Sequence, residues 1–275
     1  MLCCNLHMEQ KGFALVTGAS SGIGRELALL LSQRGYNLVL TARSEARLDE
    51  LRTAILEQHG STGRIVYPVV VDLSLPDGPD RLAARLAELA IEIELLVNNA
   101  GTGSFGPFAD GDPDDYSSMI AVNVTSLTRL TRLLLPGMVS RHSGRILNVA
   151  SVASFQPGPL MAVYYATKAY VLSFSEALSE ELAESGVAVT ALCPGPTATE
   201  FHARAGIRQN GRLQSTTMST SRAVAESGIR ALLSGRRVVV TGALYRLLTF
   251  SVRLLPRRMV ARAVLRMQRS RTTDS

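Results

Sequence analysis

Phe13-Ala-Leu-Val-Thr-Gly-Ala-Ser-Ser-Gly-Ile-Gly24 is the stretch on which the reading of the fold turns. Phe13 to Val16 read as a short buried strand, and Ile23, Leu27, Leu30 and Leu31 recur at the spacing of one helix face up to Gly35. Between them lies a turn with three glycines, and strand, glycine-rich turn and helix in that order form a phosphate cradle. Gly18 allows the tight turn, Gly22 lets a pyrophosphate approach the backbone, and Gly24 lets the helix pack closely on the strand. The amides of the helix N-terminus then face the phosphates. Ser20, Ser21 and Ile23 complete this expected dinucleotide-binding turn. Its spacing, G-x-x-x-G-x-G, is one residue longer than the common fingerprint, and an ordinary βα turn with three glycines would read the same way.

Working outward, Asn37 to Ala42 make a second strand, and the residues after it bear on the cofactor. A ribose with a free 2′-hydroxyl wants an acid there, whereas a 2′-phosphate wants a cation. The chain has Ala42, Arg43 and Ser44, with Arg47 a turn on, which favours NADP(H) over the alternative NAD(H). A solvated charge at a helix start is the plainer reading of Arg43. Asp72 follows the strand Arg64 to Val71, where it suits either an adenine amino group or a cap on the next turn. Glu94 to Val97 form a fourth strand that stops at Asn98-Asn99-Ala100-Gly101, read as both a turn and a cofactor wall.

Ala150 to Lys168 carry a serine, a tyrosine and a lysine at spacings fit for proton chemistry. Tyr164 and Lys168 are four apart, on one face of a helix. A free phenol titrates near a pKa of about 10, too high for a good proton donor or base near neutrality. An ammonium about 4 Å away, at an effective dielectric near 20, favours the phenolate by roughly 4 kcal/mol, or about three pKa units. Ser151 follows the apolar run Arg145 to Ala150, so its hydroxyl is expected at a strand's carboxyl end, where parallel α/β sheets hold ligands. Ser151 and Tyr164 are therefore expected to meet over one carbonyl oxygen, although a lone Y-x-x-x-K pair also arises by chance.

A long helix is predicted from Pro113 past Asn123 to Leu135, in which a buried Asn123 needs partners for its amide. A satisfied core amide is the simpler reading. The strand Val187 to Leu192 closes on Cys193-Pro194-Gly195-Pro196-Thr197-Ala198-Thr199, a rigid turn in which Thr197 and Thr199 suit a nicotinamide carboxamide. Glu200 to Thr220 is polar and short of periodicity, the composition of a mobile lid over a substrate.

At 275 residues and 46% hydrophobic content, the chain suits one large α/β domain. The boundaries read as an irregular segment 1–11, a dinucleotide-binding and catalytic domain 12–242, and a basic amphipathic helical tail 243–275. The net charge of +6 is concentrated: from Leu244 onward there are eight arginines and one acid, so the tail carries +7 and the remainder −1. The main body is thus not a nucleic-acid surface. Cys3, Cys4 and Cys193 show no metal spacing, and their odd count argues against a disulfide framework, so no metal site and a reducing compartment are expected. With no apolar run of spanning length and no signal-peptide pattern, the protein is expected in the cytoplasm.

In the tail, Leu244 to Leu255 reads as one amphipathic helix and Pro256 as the first position of another. Arg258, Arg262, Arg266 and Arg269 line one face of the second, beside Met259, Val260, Ala263, Val264 and Met267. That pattern suits peripheral contact with an anionic membrane. It equally suits an apolar face packed on the domain or over the substrate mouth, with the arginines solvated.

Taken together, the glycine turn, Asn98 to Gly101, Asn123, Ser151, Tyr164-x-x-x-Lys168 and Pro194-Gly195 resemble the short-chain dehydrogenase/reductase family in order and spacing, over about Gly12 to Val240. The resemblance implies an α/β, Rossmann-like, doubly wound, mainly parallel sheet of about seven strands with helices on both faces. Here a C-terminal helical extension follows it. It implies that Tyr164 exchanges the proton, that Lys168 lowers its pKa and binds the nicotinamide ribose, and that Ser151 holds the carbonyl oxygen. Asn123 would anchor a water relay to Lys168. Gly18, Ser20, Ser21, Gly22, Ile23, Gly24, Arg43, Asp72, Asn99, Ala100, Gly101, Tyr164, Lys168, Pro194, Gly195, Thr197 and Thr199 would hold the dinucleotide. Ser21 stands where many NADP-binding members carry a second basic residue, so NADP selectivity leans on Arg43. The implied activity is hydride transfer between NADP(H) and a carbonyl or alcohol, here one that is apolar or lipid-like, by a homodimer or homotetramer. A dinucleotide-binding sensor or membrane-associated scaffold with little turnover is the alternative.

Overall fold

β1 (Phe13–Thr17) sends Ala14 and Val16 to one face of a sheet and Leu15 to the other, all fully buried. A strand apolar on both faces belongs in the middle of a parallel sheet with helices on either side. The computed structural model, which describes residues 11–59, 63–206 and 218–269, has that architecture. Seven parallel strands run in the order β3 (Val66–Val70), β2 (Asn37–Ala42), β1, β4 (Ile93–Asn98), β5 (Gly144–Val149), β6 (Val187–Cys193) and β9 (Val238–Val240). A separate parallel pair, β7 (Thr197–Ala198) and β8 (Ser219–Thr220), lies beyond β6.

One apolar layer joins Val16, Leu38 and Leu40 to α1 (Gly22–Gln33), α2 (Glu45–His59) and α8 (Ser221–Leu233). The other joins Leu15, Val39, Leu96 and Ile146 to α3 (Gly78–Glu88), α5 (Leu127–Ser140) and α6 (Ala162–Glu181). The chain winds outward from β1 to β3 and then returns to β4 on the other side of β1. That reversal opens a crevice at the strands' carboxyl ends, where ligands of doubly wound sheets bind. Gly18, Arg43, Asp72, Asn99, Ser151 and Pro194 all follow strand ends and all line one cleft.

The predicted helix from Pro113 to Leu135 has three parts: α4 (Pro113–Ile120), a π-helical segment Ala121–Ser126, and α5, which runs on to Ser140 through Pro136. The extra residue per turn falls at Asn123, and π segments inside helices often mark functional sites. The tail forms α9 (Ala243–Ser251), a 3₁₀ turn Val252–Leu254 and α10 (Arg257–Arg269). Pro256 precedes α10 by one residue, and its carbonyl accepts the amide of Val260 at 3.2 Å. Of the expected lid, only the ends are described, with α7 (Phe201–Arg204) at one end and β8 at the other. Its residues 207–217, together with Cys3, Cys4 and the rest of residues 1–10, lie outside the described residues.

Candidate active site

The glycine turn is held by a residue far away in sequence. Asn99 Nδ2 donates to the carbonyls of Thr17 (2.9 Å) and Gly18 (3.1 Å), and Thr17 Oγ1 accepts the amides of Asn99 (2.9 Å) and Ala100 (3.0 Å). Gly18 and Gly22 have φ of +63° and +56°, in the left-handed region that costs other residues energy. A Cβ on Gly18 would lie 2.9 Å from Ala100 Cα. On Gly24 it would lie 2.3 Å from the Gly18 carbonyl oxygen, a backbone atom that cannot swing aside. Gly24→Ala is therefore expected to cost about 1–3 kcal/mol of stability, as overpacking does. A denaturant unfolding curve checks this, and an unchanged midpoint would contradict the close packing.

The first turn of α1 holds no acidic residue, and Ser21 caps none of its amides with its side chain. Those N–H groups, at the positive end of a helix, are open to an anion. The cleft beyond is about 1420 Å³, larger than the usual single-ligand pocket. Ser20, Ser21, Gly22 and Ile23 line it at one end and Tyr164 and Lys168 at the other. These residues fit an extended dinucleotide with its phosphates on the glycine turn.

At the second strand's end, Arg47 is committed to Glu200 at 2.8 Å, and Glu200 also pairs with Arg204. Arg43 makes no ion pair among the described residues, and it lines the cleft. Asp72 Oδ1 accepts both the amide (2.8 Å) and the hydroxyl (2.7 Å) of Ser74, so the capping reading holds for that oxygen. Burial raises the Asp72 carboxyl, but the Ser74 hydrogen bonds and the charge of Arg43 outweigh it and hold it below the ordinary range.

Ser151 and Tyr164 do meet. Burial dominates at Tyr164 and pushes the phenol up to about 12, while the neighbouring Ser151 hydroxyl acts the other way. Although i, i+4 spacing puts the two side chains on one helix face, Lys168 Nζ donates to the Val149 carbonyl at 2.8 Å and lies 5.9 Å from the Tyr164 ring centre. Burial in turn pushes the Lys168 ammonium down to about 8.

Asn123 is buried and fully bonded. Its Nδ2 donates to the Thr102 carbonyl and to Thr167 Oγ1, both at 3.0 Å, and its Oδ1 accepts the Thr102 amide at 2.9 Å. It does not touch Lys168, but Gly101 separates them closely: a Cβ there would lie 3.1 Å from Asn123 Oδ1 and 3.4 Å from Lys168 Nζ. Thr197 Oγ1 donates to the Gly195 carbonyl at 2.8 Å, and Thr199 Oγ1 accepts the Phe201 amide at 3.3 Å. Both threonines line the cleft, as do Ala100, Pro194 and Gly195.

Several supporting residues escaped the sequence reading. Thr17, Thr102 and Thr167 anchor Asn99 and Asn123, while Ser154 Oγ donates to the Lys168 carbonyl at 2.7 Å. Asn98, expected in the cofactor wall, instead bonds Thr131 (3.0 Å) and Asn148 (2.9 Å) in the core. No sequence signal marks these, because each is a common polar residue whose partner is distant in the chain. The tail is a wall of the cleft, one of the two readings its sequence allowed. Val260 and Val264 pack with Met161 and Tyr165 against Phe105, Tyr164 and Phe201, and buried Gln268 donates to the Tyr165 hydroxyl at 3.2 Å. The apolar-cover reading of α10 therefore holds, with Arg258, Arg262, Arg266 and Arg269 exposed.

Comparison with known proteins agrees with this geometry. The family described as short chain dehydrogenase matches residues 12–210. A very-long-chain 3-oxoacyl-CoA reductase of Bos taurus is 38% identical over 193 residues, covering 69% of this chain and 60% of that protein. The chain spans between about half and three fifths of the length of the first such reductases it matches. Among solved structures, a short-chain dehydrogenase from Sphingobium yanoikuyae in complex with NADPH aligns with a TM-score of 0.78 and 33% identity, covering 88% of this chain and 92% of that one. A short chain dehydrogenase/reductase from Burkholderia phymatum in complex with NAD aligns at 0.76 and 28% identity, covering 88% and 92%.

Proposed function

This chain belongs to the short-chain dehydrogenase/reductase family, and on that premise we propose that it reduces an apolar, lipid-like carbonyl compound with NADPH, the alcohol oxidation being the same step reversed. The observation that carries the proposal is the convergence of Ser151, Tyr164 and Lys168 with the glycine turn on one cleft. When bound, the reduced nicotinamide supplies the hydride that the carbonyl carbon accepts. Tyr164 gives its phenolic proton to the carbonyl oxygen, and Ser151 holds that oxygen by a hydrogen bond. A phenol raised to about 12 keeps its proton at neutral pH, which is the form reduction needs, but a pKa so far above neutrality makes it a weak donor on its own. The ammonium of Lys168 then offsets the charge left on the phenolate. Asn123, held by Thr102 and Thr167, fixes the backbone beside Gly101 and so the space for the lysine.

The substrate side of Tyr164 is walled by Phe105, Met161, Phe201, Val260 and Val264, which supports an apolar carbonyl compound. The 3-oxoacyl-CoA reductases point the same way, toward a long-chain ketone. One relative was solved with NADPH and another with NAD, so cofactor choice rests on Arg43 and on the lack of an acid at residues 42–44, where β2 ends. NADPH is expected to outperform NADH, and Arg43→Ala is expected to narrow the gap by raising the KM for NADPH on the order of ten- to a hundredfold. Equal use of both cofactors by the unmutated enzyme would refute this.

Two partner assignments belong to the same reading. A homodimer or homotetramer through the helices of Asn123 and Tyr164 is supported by Ile120, Leu133 and Tyr170, which are exposed on α4, α5 and α6. No helix among the described residues is long and apolar enough to cross a membrane. We propose a cytoplasmic location, with the basic tail in peripheral contact with an anionic membrane.

A further inference from the structure

The tail presents two unlike faces. Tyr245, Thr249 and Val252 follow i, i+4, i+7 and line the cleft. Leu247, Phe250 and Leu254 follow i, i+3, i+7 on the outer side, where they are 65%, 60% and 74% exposed and take no part in the cleft. Leu244 and Met259, on either side of it in the chain, are exposed as well. Between the two faces, Leu248, Leu255 and Met267 are exposed and line the cleft at the same time, so the ridge runs into the cleft mouth.

Contiguous large apolar side chains of this extent on a protein surface mark an interaction site. Charge identifies the partner. Residues 243–269 contain no acidic residue, and Arg246, Arg253, Arg257 and Arg258 stand exposed among the ridge residues. None of these four pairs with a carboxylate among the described residues. A second copy of this surface would set arginine against arginine, and a nucleic acid backbone would leave the leucines and Phe250 without apolar cover. An anionic bilayer meets both needs, with apolar side chains in the acyl boundary and arginines at the headgroups.

We propose that the outer ridge of α9 and the 3₁₀ turn, Leu247, Phe250 and Leu254 with Arg246, Arg253, Arg257 and Arg258, is a docking surface for an anionic lipid bilayer, placing the cleft mouth against the membrane. The orientation is set by this ridge, since the apolar residues Val260 and Val264 of α10 are spent on the domain. Delivery of a lipophilic ketone from the bilayer through the mouth framed by Leu248, Leu255 and Met267 follows, and that consequence rests on the reductase reading.

The test compares the full chain with a triple variant, Leu247→Asp, Phe250→Asp and Leu254→Asp, which keeps every arginine. The unmutated protein is expected to float with phosphatidylglycerol-containing vesicles and not with phosphatidylcholine alone. The triple variant is expected to lose flotation at least tenfold. It should reduce a short, water-soluble ketone within about twofold of the unmutated rate, and a long-chain ketone supplied in vesicles about tenfold more slowly. Undiminished flotation of the variant overturns the docking surface. So does a change from oligomer to monomer without vesicles, which would assign the ridge to a second copy. Lost flotation with undiminished reduction of the vesicle-borne ketone overturns delivery through the mouth. Should the unmutated protein reduce neither ketone, the reductase reading falls, and flotation alone still decides the docking surface.

Discussion

Tyr164→Phe is expected to lower turnover by about 10²–10⁴-fold, the usual contribution of a general acid, while leaving NADPH affinity nearly unchanged. The substitution removes the proton that is transferred to the carbonyl oxygen and nothing that touches the phosphate cradle. Phe keeps the ring contact with Phe201, whose centre lies 5.2 Å away, so the cleft wall stays packed. Retention of more than about a tenth of the unmutated rate would overturn the assignment. Tyr165→Phe is the control, since the Tyr165 hydroxyl faces Gln268 of the tail, not Lys168. Its turnover should persist.

Lys168→Met is expected to be nearly as damaging. An ammonium about 6 Å from the ring, at an effective dielectric near 20, stabilises a phenolate by about 3 kcal/mol, or roughly a hundredfold in rate. The same side chain carries a second, separable signature. Burial holds the folded-state ammonium at about 8, below its ordinary value of 10.5. Below pH 8 both folded and unfolded chains keep the proton, and the cost of the buried charge is present in full. Between about 8 and 10.5 the unfolded chain keeps a proton that the folded chain has shed, so this group makes stability rise with pH. The melting temperature of the unmutated protein, relative to Lys168→Met, should climb across that window. A relative fall would contradict the buried lysine.

Most of the fold was legible because it rests on local pattern. Short apolar runs ending in Gly18, Arg43, Asp72, Asn98, Ser151 and Pro194 mark strand ends, and the motif order sets their place around the switch between β1 and β4. What could not be read depends on strand phase and distant partners. Asn98 and Asn99 are adjacent in sequence, yet one turns into the core and the other staples the glycine turn. The helical spacing of Tyr164 and Lys168 was right, but the Lys168 ammonium donates to the Val149 carbonyl on β5, a partner that spacing could not reveal. In the tail, the pattern of the basic helix suited a membrane face and a cover for the cleft equally. Its apolar residues complete the cleft, and the exposed ridge belongs to the helix and 3₁₀ turn before it, a placement that side-chain spacing alone could not give.

The central claim is that this cleft turns over a ketone with NADPH. The most direct measurement follows nicotinamide absorbance with NADPH and ketones of increasing chain length, for the unmutated protein beside Tyr164→Phe. The account predicts ketone-dependent NADPH oxidation that strengthens with chain length and is nearly lost in the variant. NADPH that binds but is consumed with no ketone, or consumed equally by both proteins, would contradict it and leave a dinucleotide-binding sensor or scaffold in its place.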